Sequence, residues 1–195
     1  MNIVVVSGSM RTDAQSLKVS KWLSDHLQTL EAESSVVDLH ELKLPLFDVG
    51  ETEAPNADKI LSALDAADGV VFVSPEWNGM MSHSIMNMQH FVDKQLAHKP
   101  VMLVGVSAGR GGTYPIAQMR SAGYKNNQYF VSPEALLVQD VNGIMNSHSP
   151  EEGSPDESVQ TRADYALKVL VEYAKASQGV RSSGVIDHET FANGV

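Results

Sequence analysis

Hydroxyl and guanidinium groups cluster near the start of the chain in a pattern suited to binding an anion. The segment 7–12 reads Ser-Gly-Ser-Met-Arg-Thr. It lies between the apolar, β-branched run 2–6, typical of a strand buried on both faces, and a pattern typical of an amphipathic helix. A helix N-terminus offers free N–H groups and the positive end of the helix dipole. We therefore predict a phosphate site, to which Ser7, Ser9, Thr12 and Ser16 offer hydroxyl donors and Arg11 a positive charge.

The same segment excludes two common nucleotide-binding loops. It lacks the GxxxxGK[ST] spacing of a Walker A loop, and Gly8 stands alone where the dinucleotide fingerprint GxGxxG needs further glycines. Hydroxyl side chains replace those glycines, which favours a terminal phosphomonoester over a pyrophosphate that lies against bare backbone. The alternative interpretation is a polar turn that only connects a core strand to a helix.

The composition narrows the classes of protein to which the chain can belong. Its 195 residues are enough for one substantial α/β domain, and its formal net charge of −10 disfavours nucleic acid or an anionic membrane as a main partner. The chain contains no cysteine, which excludes disulfides, a thiol nucleophile and a thiolate metal site. No apolar stretch approaches the roughly 20 residues that cross a bilayer, and no signal-peptide pattern is present, so we expect a cytoplasmic protein.

The order of apolar runs and helical patterns predicts a single α/β domain with a five-stranded, doubly wound parallel sheet and helices on both faces. The predicted strands cover 2–6, 36–39, 69–74, 101–106 and 129–131, the last with a short extension near 136–138. We expect the domain to span residues 1–176 and residues 177–195 to form a loose C-terminal tail. Ligands of such sheets bind beyond the C-terminal ends of the strands, which the loops 7–14, 74–82 and 107–113 follow here.

The second and third of these loops carry residues suited to holding a planar ring. Trp77 offers a flat apolar face, and Asn78 offers an amide that both donates and accepts hydrogen bonds. The third loop is rich in glycine, so its backbone N–H groups can approach the polar edge of a ring. A heterocycle joined to a phosphate, as in flavin mononucleotide (FMN), would satisfy all three loops. Further candidate contacts are Glu76 of the second loop and Gly109, Gly111 and Gly112 of the third.

Each of these residues also has a simpler explanation. Trp77 is of a type that anchors a loop after a strand, and Asn78-Gly79 is a common turn pair. The pair Gly111-Gly112 could provide only a bend before the next helix. The case for a cofactor site therefore rests on three such loops at one edge of the sheet.

Three motifs resemble those of the NADPH-dependent FMN reductases, a flavodoxin-like family with azo-, quinone- and chromate-reducing members. The segment 8–11 (Gly-Ser-Met-Arg) resembles the family's GSxR phosphate loop. The segment 75–79 (Pro-Glu-Trp-Asn-Gly) is similar to its PEYNG loop, and 107–112 resembles its third, glycine-rich loop. The resemblance covers about residues 1–175 and departs from the family at Ala14, where the family usually has serine. This departure implies a looser FMN site.

The resemblance implies an oxidoreductase that binds FMN and takes NADPH or NADH as co-substrate. Hydride would pass from nicotinamide to flavin and on to a small acceptor, such as a flavin, a quinone, an azo compound or a metal oxyanion. Because the flavin carries the chemistry, no catalytic side chain is expected. The resemblance implies that Ser9, Arg11 and Ser16 hold the phosphate and that the second and third loops bind the ring through Pro75, Glu76, Trp77, Asn78, Gly79, Ser107, Gly109, Gly111 and Gly112. Arg110 is a candidate contact for an NADPH phosphate. The family's association implies a homodimer or homotetramer, with the methionine-rich third helix and the segment 41–56 as candidate contact surfaces.

Two other functions stay open from the sequence. One is a flavodoxin-type FMN electron carrier that does not oxidise nicotinamide, although the chain lacks the TxTGxT type of loop that flavodoxins typically use. The other is a cofactor-free, flavodoxin-like binding or regulatory protein, which the loss of a hydroxyl at Ala14 makes less remote. We expect no metal site, because His83 and His90 share a helical face without an HExxH spacing. The absence of a GxSxG elbow disfavours a serine hydrolase.

Overall fold

A five-stranded parallel sheet forms the centre of the molecule in the computed structural model, which describes residues 1–48 and 54–194. Its strands are β1 (Asn2–Ser7), β2 (Glu33–Asp38), β3 (Gly69–Pro75), β4 (Pro100–Val106) and β5 (Phe130–Val138). Every neighbouring pair is parallel. The order β2-β1-β3-β4-β5 is that of doubly wound, flavodoxin-like sheets. The predicted fold class is therefore confirmed.

Helices cover both faces of the sheet. They are α1 (Gln15–Thr29), α2 (Leu39–Leu42), α3 (Ala57–Ala66), α4 (His83–Phe91), α5 (Thr113–Ser121), α6 (Tyr124–Asn127) and α7 (Pro155–Ser182). Helices α1 and α7 pack on one face with Val5, Val71 and Val104, whereas α3, α4 and α5 contribute to the core on the other face. Each central strand thus buries alternate side chains in two separate cores.

The strand order fixes the position of a crevice. From β1 the chain crosses to β2 on one side, and it later returns to β3 on the other side of β1. The loops that follow β1 and β3 therefore diverge at the C-terminal edge of the sheet, which is where doubly wound folds bind ligands. The loop after β4 leaves the same edge, because β4 is parallel to β3 and adjacent to it.

Two strands differ from their sequence-based bounds. The second strand begins earlier than predicted, at Glu33, and ends at Asp38, since Leu39 already opens α2. Its N-terminal residues are polar because β2 is an edge strand, so no apolar run marks them. The fifth strand is continuous from Phe130 to Val138, and a register shift against β4 lies between Val101 and Leu103. The proline and glutamate inside it hid this continuity in the sequence.

The last helix extends beyond residue 176, where we expect the domain to end. Helix α7 continues to Ser182, and Ser177 is buried. Further on, the N–H of Gly194 donates to the carbonyl of Lys125 at 3.0 Å. The division into a domain 1–176 and a separate tail stays a prediction.

The segment 41–56 begins with the end of α2 and continues without regular structure to Asp48. The part of that predicted contact surface between 49 and 53 lies outside the described residues. Among the described helices, none has the combination of length and apolarity that crossing a bilayer requires.

Candidate functional site

The three loops meet around one cavity of about 520 Å³ at the C-terminal edge of the sheet. This volume is within the usual range of sites for small molecules and cofactors. The predicted site residues that line the cavity are Ser9, Arg11, Ser16, Pro75, Glu76, Trp77, Ser107 and Gly109. The remaining four, Asn78, Gly79, Gly111 and Gly112, are not among its lining residues. Most of the predicted site is therefore brought together in space.

The first loop has the features of a phosphate cradle. Ser9 and Ser16 are each 2% exposed, and the hydroxyl of Ser16 has no hydrogen-bond partner. The N-cap of α1 is Ala14, which makes no side-chain cap, so the first N–H groups of this helix lack that partner. Arg11 is exposed beside them and has no carboxylate partner in the part of the chain described. The residues present therefore fit a bound phosphate.

Close packing holds the first loop against the neighbouring strand and helix. A Cβ atom on Gly8 would lie 2.4 Å from Ile85 Cδ1 and 2.9 Å from the carbonyl oxygen of Val73. The backbone there is bonded on both sides, since the N–H of Gly8 donates to Val73 and its carbonyl accepts from Ser84 Oγ. Glycine at position 8 is thus required by contact with β3 and α4.

The second loop is a tight hairpin turn that fixes the indole of Trp77 at the cavity wall. Asn78 and Gly79 both have positive φ, 52° and 69°, as a type I′ turn requires. Trp77 and Met80 exchange both backbone hydrogen bonds across the turn, at 3.3 and 2.9 Å. The turn alone therefore explains the Asn78-Gly79 pair, without any contact to a cofactor.

The third loop is closed by its own hydrogen bonds. Ser107 Oγ accepts from the N–H groups of Gly109 and Gly111, at 3.1 and 3.2 Å. The N–H of Gly112 donates to Glu76 Oε2 at 2.5 Å. The sequence had suggested that these three amides face the edge of a ring, but all three already have protein acceptors. Glycine is required at two of these positions for other reasons, because a Cβ atom on Gly111 would lie 2.7 Å from Glu76 Oε1 and Gly112 has a φ of +106°.

A fourth segment, which the sequence analysis missed, completes the wall. Val141 and Asn142 follow β5 and line the cavity. Lys18 of α1 holds this segment, because its Nζ donates to the carbonyls of Val141 and Ile144 and to Asn146 Oδ1, at 2.6, 2.8 and 2.9 Å. Burial lowers the pKa of the Lys18 ammonium, opposed by the charge of Asp156.

The rule that ligands bind beyond strand C-termini could have found this segment, since β5 ends at the same edge. The cavity is also lined by Asp13, Ala14, Gln15, Val106 and Ala108. Within the described residues, no group of three or more histidine or acidic side chains is placed to bind a metal ion. The arrangement can therefore hold a phosphate at one end and a planar group beside an indole at the other.

Comparison with known proteins agrees with the family resemblance of the three loop motifs. Residues 1–142 match the family model of the NADPH-dependent FMN reductases. An NADPH azoreductase of Bacillus sp. (strain OY1-2) is 29% identical over 126 residues, which are 63% of this chain and 68% of that protein.

Solved structures agree on the fold. An oxidoreductase from Corynebacterium diphtheriae superposes with a TM-score of 0.67 at 15% identity, covering 90% of this chain and 97% of that one. The flavoenzyme FerB, an NAD(P)H:(acceptor) oxidoreductase from Paracoccus denitrificans, superposes with a TM-score of 0.63 at 18% identity, covering 91% and 97%. With the family model matched over residues 1–142 and the loops assembled as described, the chain belongs to the NADPH-dependent FMN reductase family, enzymes that use FMN and take NADPH as co-substrate.

Proposed function

We propose that the chain binds FMN in the cavity between its three loops and reduces a small, planar aromatic acceptor, of the azo or quinone type, with NADPH. The observation that carries the proposal is the buried, unpartnered hydroxyl of Ser16, which lines a cavity shared with Arg11 and Trp77. A buried hydroxyl without a partner costs about 1–3 kcal/mol. A phosphate at the N-terminus of α1 would supply the missing acceptor.

The residues of the chain bind and orient the cofactor. Ser9, Arg11 and Ser16 hold the phosphate, and Trp77 packs its indole against the ring system. Val106 and Val141 supply apolar wall that excludes water. When bound, FMN supplies the chemistry of accepting a hydride from nicotinamide and passing reducing equivalents to an acceptor. No side chain is required as nucleophile or general base.

Exposed apolar surface beside the second loop supports an aromatic acceptor. Met80 is 50% exposed and Tyr114 is 63% exposed. They belong to one surface, because a Cβ atom on Gly79 would lie 3.7 Å from the ring of Tyr114. A planar aromatic molecule can stack on such side chains, which a small metal oxyanion cannot. The Bacillus relative, named as an azoreductase, is in keeping with this substrate class.

Self-association, absence of nucleic-acid and membrane partners, and cytoplasmic location remain proposals. Exposed Leu46, Phe47 and Met86 support a homodimer or homotetramer, because isolated molecules seldom expose several large apolar side chains in one region. Light scattering on the purified protein would measure the oligomeric state directly, and a monomer at micromolar concentration would contradict the proposal.

An anaerobic titration tests the proposed function. FMN is added to the protein, followed by NADPH and then a quinone or azo dye, while the visible flavin bands are recorded. We expect bound flavin that bleaches with NADPH and recovers with the acceptor. Persistent bands would make the protein a carrier instead, and absence of FMN binding would contradict the proposal entirely.

Arg11→Ala supplies the variant for this titration. A hydrogen bond to a charged group contributes about 1.5–3 kcal/mol, so FMN affinity should fall at least about tenfold. Arg120→Ala is the matched control, because its guanidinium donates to the carbonyl of Pro133 and is not among the lining residues of the cavity.

A further inference from the structure

Glu76 connects the second loop to the third through both its backbone and its side chain. Its N–H donates to the carbonyl of Val106 at 2.9 Å. Its Oε2 accepts from the N–H of Gly112 at 2.5 Å and from the N–H of Tyr114 at 3.3 Å. One residue thus joins the end of β3 to the end of β4 through its backbone and to the start of α5 through its half-buried carboxylate.

The carboxylate acts as the N-terminal cap that α5 lacks. The N-cap residue of this helix is Gly112, which has no side chain, and the first turn contains no acidic residue. The first N–H groups of a helix need acceptors, and a negative charge there is favoured by the helix dipole. Glu76 meets both needs from a different loop.

The space around the carboxylate is closely filled. A Cβ atom on Gly111 would lie 2.7 Å from Glu76 Oε1, and one on Gly105 would lie 1.9 Å from the carbonyl oxygen of Gly112. Glycine at these positions lets the third loop lie directly against β4 and against Glu76. The loop therefore has little freedom while the carboxylate is in place.

The bonds of Glu76 and Ser107 also decide which amides of the third loop remain available. Gly109, Gly111 and Gly112 donate to these two side chains. Within the described chain, the N–H groups of Ala108 and Arg110 have no acceptor, and Ala108 lines the cavity. The available donors at this wall are thus not the glycine amides.

We propose that Glu76 is a positioning residue that fixes the third loop so that the ring-binding end of the cavity is formed before the cofactor arrives. It contributes to ring binding through the loop, whereas phosphate binding is left to the first loop. This inference rests on the proposed FMN site. In this inference the Glu76 side chain acts on the third loop and not by direct contact with the cofactor. The backbone N–H of Ala108 is the donor to the edge of the ring.

The experiment compares two ligands and two readouts in Glu76→Ala, Glu76→Gln and wild type. Hydrogen exchange of the FMN-free protein reports on the amides of Gly112 and Tyr114. Fluorescence quenching measures the affinities for FMN and for riboflavin, which lacks the phosphate. Glu134→Ala is the control, because this carboxylate pairs with Arg162 and is not among the lining residues of the cavity.

In Glu76→Ala we expect the two amides to exchange at least about tenfold faster, because an N–H with no acceptor loses its protection. Riboflavin and FMN affinities should fall by the same factor, about tenfold, so that their ratio is unchanged. Glu76→Gln keeps an oxygen acceptor and should restore both readouts to within about threefold. Arg11→Ala should show the opposite pattern, with FMN weakened and riboflavin unaffected.

Unchanged exchange in Glu76→Ala, or a fall confined to FMN, would overturn the inference. If Glu76→Ala does not fold, Glu76→Asp withdraws the carboxylate by one methylene and must then show the same parallel loss. Wild-type protein that binds neither flavin would contradict the proposed function, and with it the ring-binding role. Unchanged exchange together with normal FMN binding would contradict the role of Glu76 alone.

Discussion

The two ends of the cavity differ in how their polar groups are used. At the phosphate end, the hydroxyl of Ser16 is buried without a partner, and Ala14 leaves the N-terminus of α1 without a side-chain cap. At the ring end, Ser107 and Glu76 already accept the hydrogen bonds of Gly109, Gly111 and Gly112. The phosphate end therefore has a buried side chain that lacks a partner without a ligand, whereas the third loop at the ring end is held by bonds within the protein.

This difference indicates a division of labour in binding. Buried polar groups without partners destabilise the free protein, and a ligand that satisfies them gains that free energy on binding. A loop that is already hydrogen-bonded loses little conformational entropy when a ligand arrives. We expect the phosphate end to provide most of the affinity for FMN and the ring end to provide a preformed shape.

Among the substitutions that test this comparison, Gly105→Ala should have the largest effect. The added Cβ would lie 1.9 Å from the carbonyl oxygen of Gly112, so the backbone of the third loop must move. We expect a loss of about 3 kcal/mol in the free energy of unfolding, measured by urea denaturation, because overpacking commonly costs 1–3 kcal/mol. Riboflavin binding should be lost as well.

Gly109→Ala is the matched control for that change. No atom lies within 4 Å of a Cβ atom at this position, and the residue has no positive φ. Its free energy of unfolding should stay within about 0.5 kcal/mol of wild type. Equal losses in the free energy of unfolding from Gly105→Ala and Gly109→Ala would contradict the idea that backbone contacts preform the ring end.

Ser16→Ala tests the phosphate end. The hydroxyl has no partner in the free protein, so its removal should raise the free energy of unfolding of that state by about 1 kcal/mol or more. FMN affinity should nevertheless fall about tenfold, since a hydrogen bond to a phosphate is lost. Thermal denaturation and FMN titration measure the two effects.

Ser20→Ala, one helical turn further along α1, is its control. That hydroxyl donates to the carbonyl of Ser16 at 2.8 Å and is not among the lining residues of the cavity. It should leave FMN affinity unchanged. A Ser16→Ala variant that loses stability and keeps its FMN affinity would remove the contrast between the two ends.

The sequence predicted the position of the site better than it predicted which polar groups of the site are free to bind a ligand. The runs that became β1, β3 and β4 are apolar without interruption, because both sheet faces are covered, so the edge at which their loops meet followed from pattern alone. The phosphate site in the first loop could also be predicted, since its strand, polar loop and helix are adjacent in the chain.

The third loop could not be understood in this way. Glycines at 111 and 112 can serve close approach to a ligand or close approach to the protein, and only the three-dimensional positions of Gly105 and Glu76 decide between them. The two residues that donate to the Glu76 carboxylate, Gly112 and Tyr114, lie 36 and 38 residues away in the chain. No local pattern records such a contact.

Arg110 tests whether the ring end keeps one group free for the co-substrate. Its side chain is exposed and, within the described residues, forms no ion pair, unlike Arg162 and Arg181. If it contacts the 2′-phosphate of NADPH, Arg110→Ala should lower kcat/KM for NADPH about fivefold, the effect of an exposed ion pair of about 1 kcal/mol. The value for NADH should not change. An equal fall with both nucleotides would mean that the substitution disturbs the loop.

Ala14→Ser is the smallest and most discriminating change at the phosphate end. Ala14 has the extended conformation of an N-cap residue, with φ −67° and ψ 138°, and makes no side-chain cap. A serine hydroxyl there should stabilise the free protein by about 1 kcal/mol, measured by urea denaturation, whereas Ala14→Val should not.

The effect of Ala14→Ser on FMN affinity separates two accounts of phosphate binding. If hydroxyl donors limit FMN binding, affinity should rise about threefold. If the free N–H groups of α1 are what the phosphate uses, the new hydroxyl competes for them, and FMN affinity should fall while stability rises. A rise in both quantities would favour the first account, and opposite signs would show that the incomplete helix N-terminus is itself the binding device.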